Sequence, residues 1–255
     1  MESSLFDLAG RVALITGGTK GIGLAIARAL GGAGARLLLV ARDLQAGEEA
    51  ESRFRASGLE AHFFPADVSE RPGAEGAVGE ALRRWGKLDI LVTSAGALVV
   101  KPALELEPEE VERQLAVNVK GVFFCCQAAG RHMVAARRGK IVLLSSILAE
   151  GAVPNQSVYI ATKGAMGALA RALAAEWSPH NVQVNALGPG LTRSPMTEGL
   201  LRDEARTRHI ISRTPAGRVG EPEDLLGAAL FLASSASDFL TGQTIFVDGG
   251  RLALS

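Results

Sequence analysis

Val12-Ala13-Leu14-Ile15-Thr16-Gly17-Gly18-Thr19-Lys20-Gly21-Ile22-Gly23-Leu24 is the stretch that decides the fold. An apolar run of strand length passes directly into a glycine-rich turn, and a segment of helical period follows from Leu24 to Gly34. Glycine permits a tight turn and lets the backbone approach a pyrophosphate held at a helix N-terminus. The spacing is Gly-x3-Gly-x-Gly, not the commoner G-x-G-x-x-G, so the flanking strand and helix carry the reading. Gly17, Thr19, Lys20, Gly21, Ile22 and Gly23 are the loop residues expected to touch a dinucleotide.

The same alternation continues outward. Val12 to Thr16, Arg36 to Val40, His62 to Phe64, Ile90 to Thr93, Ile141 to Leu144, Gln183 to Leu187 and Thr244 to Val247 read as strands. Most are continuous Val/Ile/Leu runs, as strands buried on both faces require. Helical stretches separate them: Leu24 to Gly34, Leu44 to Ser57, Gly73 to Trp85, Pro108 to Arg137, Val158 to Trp177 and Pro222 to Ala233. This pattern predicts an α/β fold, a Rossmann-type doubly wound seven-stranded parallel sheet. With 255 residues and no linker or repeat, residues 1–255 are expected to form a single catalytic domain. The long irregular stretch 191–220 is expected to be a substrate lid.

Composition removes other classes. Hydrophobic residues make up 47% and charged residues 21%, a globular profile rather than a disordered one. Twenty-seven basic residues balance 27 acidic ones, giving no bulk attraction to nucleic acid or an anionic membrane. No apolar stretch approaches the ~18 residues of a membrane span. Glu2 and Asp7 occupy the N-terminus without a cationic run ahead of an apolar one, so no signal peptide is read there. A soluble, cytoplasmic protein is expected. Cys125 and Cys126 are adjacent in an apolar run and read as buried small hydrophobes. His62, His132, His180 and His209 lack metal-ligand spacing, so no metal is expected.

Cofactor choice should be written where the second strand ends. An acid there binds the ribose 2′-hydroxyl, whereas arginine accommodates a 2′-phosphate. Val40-Ala41-Arg42-Asp43 places Arg42 first off the strand, and Lys20 supplies a second cation, which favours NADP(H). Asp43 is the counter-argument and keeps NAD(H) as the alternative.

Tyr159-Ile160-Ala161-Thr162-Lys163 is the strongest chemical signal. Four-residue spacing puts Tyr159 and Lys163 on one helix face, and Tyr159 is the single tyrosine of the chain. A free phenol, with a pKa of ~10, is a poor acid/base near neutrality. An ammonium ~4 Å away at an effective dielectric of ~20 supplies the ~4 kcal/mol needed to lower it by ~3 units. Ser145 and Ser146 end the fifth strand, where a hydroxyl can hold a carbonyl oxygen.

Together these residues resemble the short-chain dehydrogenase/reductase family over essentially the whole chain. The motifs are the Thr16 to Gly23 loop, Asp67-Val68, Ala95-Gly96, Asn118, Ser146, Tyr159, Lys163, Pro189-Gly190 and the terminal Thr241-Gly242…Val247-Asp248-Gly249-Gly250. The resemblance implies reversible hydride transfer between a nicotinamide and a carbonyl/alcohol carbon. Tyr159 would donate the proton. Ser146, thirteen residues earlier, would orient the oxygen in preference to Ser145, and Lys163 would lower the tyrosine pKa and bind ribose. Asn118 would hold a water in a helix kink. Asp67 and Val68 would contact adenine; Ser94, Ala95, Gly96, Pro189, Gly190, Thr192 and Ser194 complete the expected cofactor wall. A homotetramer is implied, with Gly164, Ala165, Gly167 and Ala168 letting helices pair closely. The chain departs from the family's Asn-Asn-Ala-Gly with Thr93-Ser94-Ala95-Gly96, where a hydroxyl is expected to replace one amide contact.

The resemblance does not choose the substrate. Related carrier-protein reductases dock an acidic carrier on arginines beside the site; Arg137, with Arg138 and Lys140, matches one position, but His180 holds the other. Ile147, Leu148, Val153, Asn155, Leu191, Met196 and Leu200 are expected near a mostly apolar pocket, with Glu150 at its rim. The reading is an NADPH-dependent reductase of a ketone, either a 3-oxoacyl thioester or a small ketone. Its alternative is an NAD-dependent secondary-alcohol or sugar-alcohol dehydrogenase. A non-catalytic dinucleotide sensor is the remote alternative, opposed by the intact Ser146, Tyr159, Lys163 and Asn118.

Overall fold

The computed structural model describes residues 5–254; Glu2 and the rest of the first four residues, and Ser255, lie outside the described residues. Seven strands form one parallel sheet: β1 (Val12–Thr16), β2 (Arg36–Ala41), β3 (Ala61–Pro65), β4 (Ile90–Thr93), β5 (Gly139–Leu144), β6 (Val182–Pro189) and β7 (Thr244–Val247). Their order is β3-β2-β1-β4-β5-β6-β7, so the direction of winding reverses between β1 and β4. That reversal opens a crevice at the carboxyl ends of the strands, the place where such sheets bind ligands. Every expected strand forms, with ends shifted by two residues at most.

Alternate residues of each strand serve opposite faces. Val12 and Leu14 join one core with Val78 of α3 (Arg71–Trp85), Cys125 and Met133 of α5 (Val122–Ala136), and Met166 of α6 (Ser157–Trp177). Ala13 and Ile15 join the other with Ile26 of α1 (Gly21–Gly32), Phe54 of α2 (Leu44–Ala56) and Leu232 of α9 (Leu226–Ala233). Both faces of the sheet are therefore dry, and the continuous apolar strands follow from that. Burial pushes the Cys125 thiol up to about 12 and raises that of Cys126 as well, so both act as packing groups.

Two expected elements differ. The helix expected from Pro108 to Arg137 is divided: α4 (Pro108–Leu115) passes into a π-helical stretch, Ala116–Gly121, before α5. The Asn118 amide pulls this wider turn toward Ala97 and Thr162. Gly121 lets it pass Val68, whose carbonyl oxygen would lie 2.6 Å from a Cβ there. The stretch 191–220 is not irregular throughout; it carries two short helices, α7 (Glu198–Leu201) and α8 (Glu204–Ser212). Its ends are clamped by a parallel bridge between Thr192 and Gly220. Among the described residues no helix is long and apolar enough to cross a membrane.

Candidate active site

A cavity of about 760 Å³ lies along the crevice, within the size range of cofactor sites. Its floor is the turn after β1. Gly17 adopts φ 65° and donates its N–H to Val40 O at 2.8 Å, which ties the turn to β2. A Cβ on Gly17 would stand 2.8 Å from Ala95 N, and one on Gly23 would overlap the Gly17 carbonyl oxygen. The backbone is thus packed where side chains would fill it, with Thr19, Lys20, Gly21 and Ile22 along the wall. No side chain caps α1 at Lys20, leaving its first N–H groups for an anion. These features fit a dinucleotide pyrophosphate.

Both expected cations face the cavity, and each is held by an acid. Lys20 Nζ lies 2.6 Å from Asp43 Oδ2, and Arg42 Nη1 lies 3.5 Å from Asp67 Oδ2. Asp43 also caps α2, accepting from Ala46 N at 3.1 Å. Its carboxyl is held below the usual range by the Lys20 hydrogen bond, and both oxygens are committed. The counter-argument for ribose binding by Asp43 therefore loses ground. Asp67 is similarly engaged, accepting from Ser69 N and Oγ, while Val68 lines the wall beside it. Thr16 organises the opposite wall, accepting from Ser94 N through its carbonyl and from Ala95 N through its hydroxyl.

The reactive groups meet at the far end. Ser146 Oγ accepts from Leu148 N at 3.1 Å and hydrogen-bonds the Tyr159 phenol. Ser145 instead donates to Lys163 O at 3.0 Å, holding α6 against β5. Lys163 Nζ sits 5.6 Å from the Tyr159 ring centroid and donates to Leu144 O at 2.7 Å. Burial dominates both ionisations. It pushes the Tyr159 phenol up to about 12, with Ser146 opposing, and pushes Lys163 down to about 8. The expectation that the ammonium depresses the phenol is not met: desolvation outweighs attraction across this separation.

Pro189 closes β6, and Gly190 donates to Val247 O at 2.9 Å. Thr192 Oγ1 donates to Gly190 O, and the Ser194 and Thr197 hydroxyls pair at 3.0 Å. All the expected cofactor residues, with Ser146, line the cavity; Asn118 does not. It stands behind the wall, its Oδ1 accepting from Ala97 N at 2.7 Å and its Nδ2 donating to Ala97 O and Thr162 Oγ1.

The family model described as Enoyl-(Acyl carrier protein) reductase matches residues 17–251. The chain is 42% identical to the gluconate 5-dehydrogenase of Gluconobacter oxydans over 246 residues, 96% of each protein. It is 38% identical to the 5-keto-D-gluconate 5-reductase of Escherichia coli, covering 98% of both. A crystal structure of a Burkholderia cenocepacia gluconate 5-dehydrogenase in complex with NADP and tartrate superposes with a TM-score of 0.95, at 41% identity and 98% coverage of both chains. The chain belongs to the short-chain dehydrogenase/reductase family.

As a short-chain dehydrogenase/reductase it is an NAD(P)-dependent oxidoreductase of a CH–OH/C=O pair. Its cavity also has walls that the sequence did not announce. Arg113 and Val117 come from α4 and the π-turn, Ala97 from the loop after β4, and Pro195 and Thr197 from the first turn of the 191–220 segment. Arg113 and Val117 stand four residues apart, the spacing of one helix face, but no motif marked that face as part of the site. Among the expected pocket residues Met196 lines this cavity, and Ile147 and Leu191 line a neighbouring one; Leu148, Val153, Asn155 and Leu200 line neither. Glu150 is exposed.

Two expectations for this short-chain dehydrogenase/reductase are corrected. The Arg137 cluster is not beside the site. Arg137 follows α5 and Lys140 is the second residue of β5, at the amino edge of the sheet, opposite the crevice. There Arg137 donates to Pro179 O, Arg138 pairs with Asp89 at 3.0 Å and Lys140 with Asp238 at 2.8 Å. Of the two hydroxyls of Thr93-Ser94, one of which is expected to replace an amide contact, that of Thr93 is not the one: its buried Oγ1 has no hydrogen-bond partner among the described residues.

Proposed function

We propose that the chain interconverts a ketone and a secondary alcohol on a short polyhydroxy acid, using NADP(H) in preference to NAD(H). The observation that carries the chemistry is the convergence of Ser146, Tyr159 and Lys163 at one end of a cavity whose other end presents Lys20 and Arg42. The similarity to gluconate 5-dehydrogenase and 5-keto-D-gluconate 5-reductase supports the substrate class. It favours a sugar-acid ketone over the 3-oxoacyl thioester, as does the removal of the Arg137 cluster from the crevice.

In reduction, Ser146 donates a hydrogen bond to the carbonyl oxygen and Tyr159 gives that oxygen its phenolic proton. Lys163 then stabilises the phenolate that remains. Bound nicotinamide supplies the hydride. Burial holds the proton on Tyr159, so its transfer depends on the Lys163 ammonium taking up the charge of the phenolate. Asn118 fixes the Ala97 loop against α6 through Thr162. The segment 191–220 acts as the lid, and the family's tetramer is the proposed assembly.

The test follows NADPH absorbance with 5-keto-D-gluconate, a short 3-oxoacyl thioester and compact neutral ketones, each repeated with NADH. Preference for the keto acid with NADPH is expected. Tyr159→Phe should lower turnover ~10²- to 10⁴-fold while NADPH binding is unchanged. A dominant thioester activity, or retained turnover in Tyr159→Phe, overturns the reading.

A further inference from the structure

A second cavity, of about 230 Å³, lies beside the first and shares Gly190 and Thr192 with it. Ile147, the residue after Ser146, forms part of its wall, so it opens within one residue of the group that holds the carbonyl oxygen. Its outer wall is the base of the lid, with Ile210 from α8 and Thr214. That wall is latched to the loop after β7 through Ala216 N→Gly249 O at 2.9 Å, and to the start of the lid through Gly220 N→Leu191 O at 2.9 Å. The space is therefore built from fixed backbone rather than from mobile side chains.

Four charged residues line it, and three are committed. Arg218 gives both terminal nitrogens to Asp224, at 2.6 and 2.7 Å, and the pair cancels. Asp248 turns its two oxygens to Gly250 N and Leu252 N, at 2.9 and 2.8 Å. Arg251, half-buried at the start of the last turn, has no ion pair among the described residues. A guanidinium without an ion pair in a confined, mostly apolar space is suited to a carboxylate, which it can grip with two parallel hydrogen bonds.

We propose that this second cavity receives the anionic end of the substrate, with Arg251 binding its carboxylate. The inference rests on the sugar-acid reading above and adds the residue that selects acids over neutral ketones. A six-carbon acid with its ketone at C5 carries the carboxylate four bonds away, ~5 Å along an extended chain. Ile147 in the wall of the subsite follows Ser146 in the chain, and Gly190 and Thr192 line both cavities.

The experiment measures binding of D-gluconate and of uncharged D-glucitol to the enzyme saturated with NADP, by calorimetry. Arg251→Gln should weaken D-gluconate about 10- to 100-fold and leave D-glucitol unchanged, and Arg251→Lys should retain most of the affinity. Ile210→Phe, which narrows the cavity without touching its charge, should weaken both ligands. Equal D-gluconate binding by the wild type and Arg251→Gln, or no D-gluconate binding at all, overturns the subsite. The two readings fail separately. If 5-keto-D-gluconate is reduced with an unchanged KM in Arg251→Gln, the subsite is wrong and the substrate class stands. If D-gluconate binds through Arg251 yet the keto acid is not turned over, the subsite stands and the substrate class is wrong.

Discussion

Replacing Lys163 with methionine should abolish turnover and at the same time stabilise the fold at neutral pH. The ammonium is only 6% exposed, so no discount for solvent screening applies. Burial lowers its pKa from 10.5 to about 8; at about 1.36 kcal/mol per pH unit, holding it charged in the native state costs ~3 kcal/mol at pH 7. Methionine removes that penalty but also the hydrogen bond from Nζ to Leu144 O, worth ~1 kcal/mol. The net expectation is a gain of ~2 kcal/mol at pH 7.

The pH dependence makes this test specific. Between pH 8 and 10.5 the unfolded lysine binds its proton while the native one has released it, so wild-type stability rises with pH across that window. Lys163→Met lacks the group, so its advantage should shrink from pH 8 upward, cross zero near about pH 9.5 and leave it ~1 kcal/mol less stable than the wild type by about 10.5. Other titrating groups are common to both proteins and cancel in the difference. Urea denaturation of both at several pH values from 7 to 10 reads the gap directly. A variant less stable than the wild type at pH 7, or a gap independent of pH, would refute the claim that Lys163 is held charged against its surroundings.

Three further outcomes follow from the same structure. If the Lys163 ammonium is needed to stabilise the Tyr159 phenolate, kcat for ketone reduction should be flat below pH 8 and fall as pH rises through about 8; a fall only near the phenol's value of about 12 would remove lysine from the step. Double charge reversal by Lys20→Glu and Arg42→Asp sets like charges against Asp43 and Asp67 and should weaken NADPH at least ~10-fold more than NADH, read by fluorescence titration; unchanged NADPH affinity would defeat the cofactor assignment. Thr93→Val removes a buried hydroxyl without a partner and fills the same space, so urea midpoints should show stabilisation of ~1 kcal/mol, and a loss of stability would mean that the hydroxyl is satisfied.

What the sequence made legible was set by how locally each feature is encoded. Strands buried on both faces announce themselves as continuous apolar runs, and all seven formed where expected. The glycine turn and the Tyr159–Lys163 spacing are likewise local, and both sit in the first cavity. Arg137 misled because nine residues separate it from Ser146, yet β5 runs between them at ~3.3 Å per residue, carrying the two to opposite edges of the sheet. Arg113 and Val117 were missed because the π-turn around Asn118 sets which face of α4 meets the crevice, and that turn is made by contacts to Ala97 and Thr162, distant in sequence. Arg251 was invisible for a related reason: its value depends on Arg218 and Asp248 finding other partners.

The Tyr159–Lys163 pair shows where charge arithmetic on a sequence needs the fold. Coulomb attraction alone predicted a depressed phenol, yet the wall that brings the two groups together also removes their water, and removing water disfavours both charges. The opposite shifts therefore have one cause. Desolvation keeps the proton on Tyr159 while weakening the hold of Lys163 on its own, which drives the two pKa values apart. Giving a proton to a carbonyl oxygen leaves the phenolate and taking one from an alcohol starts from it, so burial opposes both unless a cation holds that charge. Dryness at this end of the crevice thus makes the Lys163 ammonium the group on which Tyr159 depends, whichever way the proton moves.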